Sequence, residues 1–259
     1  MTDFSVPLNY FTKRAKELQV GVRTRQPAAV ERVRSIFTDA VNKTDCEVAD
    51  NCGLMRAQHV VAVEHGFANW KAIADASGIE ARLAITMAKH PELNDFGIGF
   101  LNGGRNLSTE QKSARNAEGR RVLRASAAAV ERTVTWLREN VAPTRTIGPR
   151  HTSYDVKAIA EEDIGYISNG VMIAAGIIAQ YPYKIVANSP DVPFGMSEKS
   201  LTEIATRRRS PERVLKRFGP RAIEVLAKRG VQAFPVGRSG VKLAWLDDGD
   251  VRTLRIGTI

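Results

Sequence analysis

Cysteine is nearly missing from this sequence: Cys46 and Cys52 are the only two, with five residues between them. Two thiols cannot build a disulfide framework and are half of a four-ligand zinc site. A reducing compartment is therefore the expected setting. Long apolar runs are missing too. The longest, Gly170 to Ala179, falls far short of the roughly 20 residues a membrane-spanning helix needs. The opening stretch, MTDFSVPLNYFTKRAKEL, lacks a basic start followed by an apolar core, so no secretory signal is expected. Nucleotide fingerprints are also lacking: no Gly-Lys-Ser/Thr follows a glycine-rich loop, and no strand leads into one. Acidic residues are in short supply, 28 against 38 basic ones, for a formal charge of +10. That surplus favours contact with polyanions, chiefly nucleic acid, through phosphate neutralisation and counterion release.

What is present suits a globular chain. Hydrophobic residues make up 43% and charged residues 25%, close to ordinary averages, so a packed core is expected over 259 residues. Residues 1–80 read as a helical module. Tyr10, Phe11, Ala15 and Leu18 share one helix face. Pro27 opens a second helix, where its missing N–H has no partner to lose, and Val30, Val33, Ile36 and Phe37 form that helix's stripe. A polar connector from Asp39 to Gly53 follows. Ala57, Val60, Val61 and Glu64 describe a helix ending at Gly66, after which Phe67 and Trp70 pack as a wedge. Through Ala57, Gln58, Gly66, Phe67 and Trp70 this region resembles a small helical module found in bacterial proteins of many kinds, a likeness that implies fold and not activity. His59 and His65 lie about 240° apart round the helix, not on one face as metal-binding histidines do, so no metal site is expected.

Residues 81–187 form a second, central helical region. Leu83 to Leu107 interrupts the helices, with Gly97, Gly99, Gly103 and Gly104 in a loop before a capping box at Ser108 and Gln111. From Ser108 to Asn140 the pattern is one long helix, or two broken at Gly119. Arg120, Arg121, Arg124, Arg132 and Arg138 line its outer faces, as a solvated flank or a phosphate-contacting edge. Next, Thr152 or Ser153 caps a helix that Gly165 ends, and Ser168 and Asn169 start another. Helix, glycine turn, helix suggests a helix-turn-helix, but the second helix is apolar nearly all round and reads as core, not as a recognition helix.

His151, Tyr154 and Lys157 are the candidates for a catalytic group. Tyr154 and Lys157 share a helix face, where a lysine favours the phenolate. Short-chain dehydrogenases place Tyr and Lys one residue further apart and need a dinucleotide loop that this chain lacks, so no cofactor is expected. On the other view, His151 and Ser153 satisfy free N–H groups at the helix start while Tyr154 packs. The runs KHPELNDFGIGF, TWLREN and RHTSYDVKAIAEEDIGYISNGVMIAAGIIA resemble an uncharacterised family from bacterial plasmids and other mobile elements, over about residues 85–200. The likeness rests on His151, Thr152, Ser153, Tyr154, Lys157, Gly165, Tyr166, Ser168, Asn169 and Gly170. Relatives carry Gly and His where this chain has Asp155 and Ala158. The resemblance implies carriage on mobile DNA and no particular reaction.

Residues 188–259 hold basic helices and a small sheet. Between Thr206 and Arg229 nine basic residues face two acidic ones, a net +7 of the chain's +10. Arg207, Arg208, Arg209, Arg213, Lys216, Arg217 and Arg221 are the candidate phosphate contacts. Ser210-Pro211 starts a helix there and Gly219-Pro220 divides it from another. Gln232–Val236, Val241–Leu246 and Val251–Ile256 then alternate as strands of an antiparallel hairpin or three-stranded sheet. The expectation is a cytoplasmic, mainly α protein with a small C-terminal antiparallel β element and no membrane contact. The expected role is that of a nucleic-acid-binding accessory or regulatory protein of a mobile element. The alternatives are a protein-interaction module, docking through Phe67/Trp70 or the hairpin, and an enzyme using His151, Tyr154 and Lys157.

Overall fold

The computed structural model describes residues 5–99, 107–148, 151–208, 228, 230, 232–236, 240–247 and 250–256. The fold is mainly helical with small antiparallel β elements, as the sequence pattern implies. No helix among the described residues is long and apolar enough to cross a membrane. The chain divides into two compact units, one taking in residues up to 139 together with 143–196, the other 140–142 and everything from 197 on.

The first unit begins with α1 (Leu8–Arg23), whose Phe11, Ala15, Leu18 and Val22 are all buried on one face. Pro27 is the first residue of α2 (Pro27–Arg34), as its fixed φ favours. The stretch read as a polar connector holds a 3-10 turn (Thr38–Ala40) and a helix, α3 (Asp45–Asn51). A capping box makes that helix: Thr44 Oγ1 accepts from Glu47 N, and Glu47 Oε2 accepts from Thr44 N at 2.8 Å. Then come α4 (Leu54–Glu64), closed by Gly66 at φ +79°, and α5 (Trp70–Asp75), capped by Asn69. These helices enclose an apolar cluster running from Phe11 to Ala81, with Phe67 and Trp70 packed against its edge.

A second capping box, Ser77 with Glu80, starts α6 (Gly78–Lys89), so the interruption expected from Leu83 begins only at His90. A tight hairpin of β1 (Leu93–Asn94) and β2 (Gly97–Ile98) follows. The long helical pattern is divided into α7 (Thr109–Ala125) and α8 (Ala127–Asn140) at Ser126, not at Gly119. Gly119 stays helical because it serves close approach: a Cβ there would lie 2.5 Å from Asp95 Oδ1 and 3.1 Å from Asn94 Cβ. The unit ends with α9 (Ser153–Ile164) and the almost wholly buried α10 (Asn169–Ile178). Gly176 of α10 lies against the Phe194 ring. Tyr181 donates to the Leu137 carbonyl at 2.9 Å, tying the end of α8 to the core, and burial pushes its phenol up to about 12.

In the second unit, Ser197 N donates to Ala142 O at 2.9 Å and opens α11 (Glu198–Arg208). β3 (Gln232–Val236), β4 (Gly240–Asp247) and β5 (Asp250–Ile256) form an antiparallel sheet in the order β3-β4-β5. Val241 pairs with Ile256 and Asp247 with Asp250 at the two ends of the β4–β5 pairing.

Candidate functional site

At the start of α9 the capping role belongs to Thr152. Its Oγ1 accepts from Asp155 N, and Asp155 Oδ2 accepts from Thr152 N at 3.1 Å. Ser153 and His151 do other work. Ser153 is fully buried, its hydroxyl accepting from Val192 N at 3.1 Å, so it is a packing residue of the chain crossing beneath it. His151 accepts through its backbone carbonyl from Phe194 N at 3.1 Å, while its Nε2 is buried without a hydrogen-bond partner.

Tyr154 and Lys157 do meet, through the ring face and not the phenolic oxygen. Lys157 Nζ lies 5.4 Å from the Tyr154 ring centroid and 5.3 Å from that of Tyr166, and it is ion-paired to Glu161 Oε1 at 2.8 Å. This is a cation held between two π faces. Tyr154 is 58% and Tyr166 80% exposed, so both side chains are largely open to solvent. Among the described residues no hydrogen bond or ring contact joins His151 to either. The ammonium is engaged by Glu161, and nothing links it to a phenol proton that it would help to remove. The surrounding helix is acidic, with Asp155, Glu161, Glu162 and Asp163.

Of the candidate phosphate contacts, Arg207 and Arg208 close α11, while Arg209, Arg213, Lys216, Arg217 and Arg221 lie outside the described residues. The two helices expected around Ser210-Pro211 and Gly219-Pro220 lie outside them too.

A buried polar node gathers where the β1–β2 hairpin meets the start of α10, and sequence reasoning passed over it. Asn94 Nδ2 donates to Gly99 O and Asn116 Oδ1, both at 3.1 Å, and its Oδ1 accepts from Phe96 N at 2.9 Å. Asn169 Nδ2 donates to Phe96 O at 3.1 Å and Asp191 Oδ1 at 3.0 Å, with Pro190 O at 3.3 Å. Gly170 N donates to Asp95 O at 2.9 Å. Asp95 Oδ1 and Asn169 Oδ1 are buried without partners, and burial pushes the carboxyls of Asp95 and Asp191 above their usual range. Nearby, Tyr183 Oη and His90 Nε2 are 3.0 Å apart, and burial lowers the His90 pKa. The signal in the sequence was two Asn-containing turns, Leu93-Asn94-Asp95 and Ser168-Asn169-Gly170, each polar inside apolar surroundings. No group of three His, Cys, Asp or Glu side chains among the described residues is placed to hold a metal ion.

In comparisons with protein-family models, curated proteins and solved structures, nothing matches this chain.

Proposed function

We propose that this chain is a nucleic-acid-binding accessory or regulatory protein of a mobile genetic element, acting in the cytoplasm and gripping phosphates through Arg207–Arg221. The observation that carries the proposal is the charge of Thr206–Arg229, nine basic residues against two acidic. The N-terminal helices support it by contrast. There Arg32 is paired with Glu64, Arg34 with Asp45 and Arg56 with Asp39, so several arginines are matched where acid is interleaved with them. A protein-docking role for Phe67 and Trp70 is less well supported, because both pack on the core cluster. The carriage on mobile DNA that the central resemblance implies gives such a protein its setting.

Filter binding of full-length protein to duplex and single-stranded DNA across a salt series tests the proposal. About six phosphate contacts predict a loss of about a thousandfold in affinity between low and physiological salt. Changing Arg207, Arg208, Arg209, Arg213, Lys216, Arg217 and Arg221 to Gln is expected to flatten that dependence. Affinity that ignores salt, or no binding at low salt, overturns it.

A further inference from the structure

Helix α7 carries a positive face that the Arg207–Arg221 proposal does not use. At 100° per residue, Thr109, Lys112, Ser113, Asn116, Ala117, Arg120 and Arg124 fall in one face about 140° wide and about 22 Å long. Two concavities lie along it. One, of about 460 Å³, has Thr109, Lys112, Ser113 and Asn116 on one wall and Ile185 to Ser189 on the other. The other, of about 560 Å³, is lined by Arg120, Arg121 and Arg124. Ser113 and Asn116 line both, so the two form one continuous trough.

The charges in the trough are mostly unmatched. Arg121 is neutralised by Glu118, with contacts of 2.7 and 2.8 Å. Arg120 is fixed instead by neutral carbonyls: Nη1 donates to His90 O, Pro91 O and Leu93 O, and Nη2 to Met87 O, all within 3.1 Å. Its charge is thus anchored without meeting a carboxylate. Arg124 lies one turn further on, its guanidinium seated on Gly66, where a Cβ would come within 1.9 Å of Nη1. Burial lowers the pKa of both arginines, and Arg124 lowers that of Arg120 further, as expected of like charges side by side without a counterion. Neither Arg124 nor Lys112 has a carboxylate partner among the described residues. Glu92 is the acid at the trough's first half. Arg120 and Arg124, held against backbone, and Lys112 beside the Ser113 hydroxyl and Asn116 amide put positive charge along the trough, which suits a chain of phosphates and offers base edges nothing specific.

We propose that this face of α7 is a track for a nucleic-acid backbone, binding phosphates without reading sequence and independently of Arg207–Arg221. The choice of nucleic acid as occupant rests on the function proposed above; the track itself rests on α7 alone.

Four full-length proteins test it: wild type, the seven-residue Gln variant of Arg207–Arg221, a Lys112→Gln/Arg124→Gln variant, and the combination. Arg120 is left intact because it holds the end of α6. Each is titrated with labelled duplex and single-stranded DNA of mixed sequence across a salt series, with circular dichroism melts alongside. The Lys112→Gln/Arg124→Gln change is expected to reduce the log–log salt slope by about 2 on duplex and about 1.4 on single strands, whether or not the late arginines are present. The charge-conserving Lys112→Arg/Arg124→Lys protein should keep the wild-type slope. Should Arg124→Gln disturb its seat on Gly66, Lys112→Gln alone is expected to remove about 0.9 on duplex. An unchanged slope in the α7 variants overturns the track while leaving the late arginines standing. Binding that survives loss of the late arginines but not of Lys112 and Arg124 does the reverse. Wild-type protein that fails to bind at low salt removes both.

Discussion

Asn169 joins three stretches that are far apart in the chain, since its amide reaches Phe96, Pro190 and Asp191 from the first turn of α10. Replacing it with Ala leaves buried acceptors unmatched and is expected to cost about 1–3 kcal/mol in urea unfolding. Asn169→Asp should cost more at neutral pH, because it sets a carboxylate against Asp191 and two carbonyl oxygens; an Asp variant as stable as the Ala variant would contradict the geometry. The neighbouring Gly170 is constrained by backbone and not by side chains: a Cβ would lie 1.9 Å from Asn94 O and 2.8 Å from Asp95 Cα. Gly170→Ala is therefore expected to destabilise by about 3 kcal/mol, and a midpoint within experimental error of wild type would refute that contact. Ser168 was legible as a cap because its partner, Val171, is three residues away. The node was not, because Asn169 meets Phe96 across 73 residues and no local window contains both. His151, Tyr154 and Lys157 were legible as neighbours, but spacing says nothing of which atoms face each other, and Lys157 turns to the tyrosine ring.

Helices announced themselves where an apolar stripe was broad. α1 and α10 bury their faces, and their spacing in the sequence is plain. α3 has a single buried residue, Val48, so it offers no periodicity to register. Its capping box was the readable sign, as Ser77 and Glu80 were for α6. Gly119 misled for a related reason: a glycine in a helical pattern breaks a helix or lets another chain come close, and only the hairpin packed on it decides which. That hairpin and α6 are held to α7 by Arg120, which takes up carbonyls at the end of α6 that no helical N–H can reach. Arg120→Met is expected to cost about 2–3 kcal/mol, read as a shift in the unfolding midpoint and faster amide exchange from Lys89 to Asn94. Arg120→Lys should restore less than half, because one ammonium cannot span the four carbonyls that a planar guanidinium does. Full restoration by Lys would mean that charge alone, without the fork, holds the elements together.

Proton linkage acts on the whole molecule, because the titratable groups that respond to folding pull in different directions. Burial holds His65 and His90 below their ordinary value of 6.5. His65 lies edge-on to Tyr10 and Phe11, its Nδ1 2.8 Å from Val61 O and its Nε2 buried with no partner, so a second proton would be placed in an apolar box. A group whose folded pKa is lowered contributes stability that is present above the unfolded value and lost as pH falls below it. Both histidines therefore remove stability on going down from about pH 6.5. Asp95 and Asp191, raised by burial from 3.8, have the opposite sign: their ionisation weakens the fold as pH rises through the acid range, and above it they are a constant cost. The exposed acids Asp39 and Glu47, lowered chiefly by hydrogen bonds from Arg56 and Thr44, lose their contribution only near and below their own ordinary values of 3.8 and 4.5. Among the described residues, then, His65 and His90 are the groups with a resolved shift that act between the histidine range and the carboxylate range. The thermal midpoint is expected to be flat at mildly alkaline pH and to fall as pH drops through 6.5 toward 5. His65→Phe keeps the ring packing without a titrating nitrogen and should flatten part of that fall, and His65→Phe/His90→Gln most of it. A double variant that falls as steeply as wild type would place the proton uptake on groups other than these two histidines.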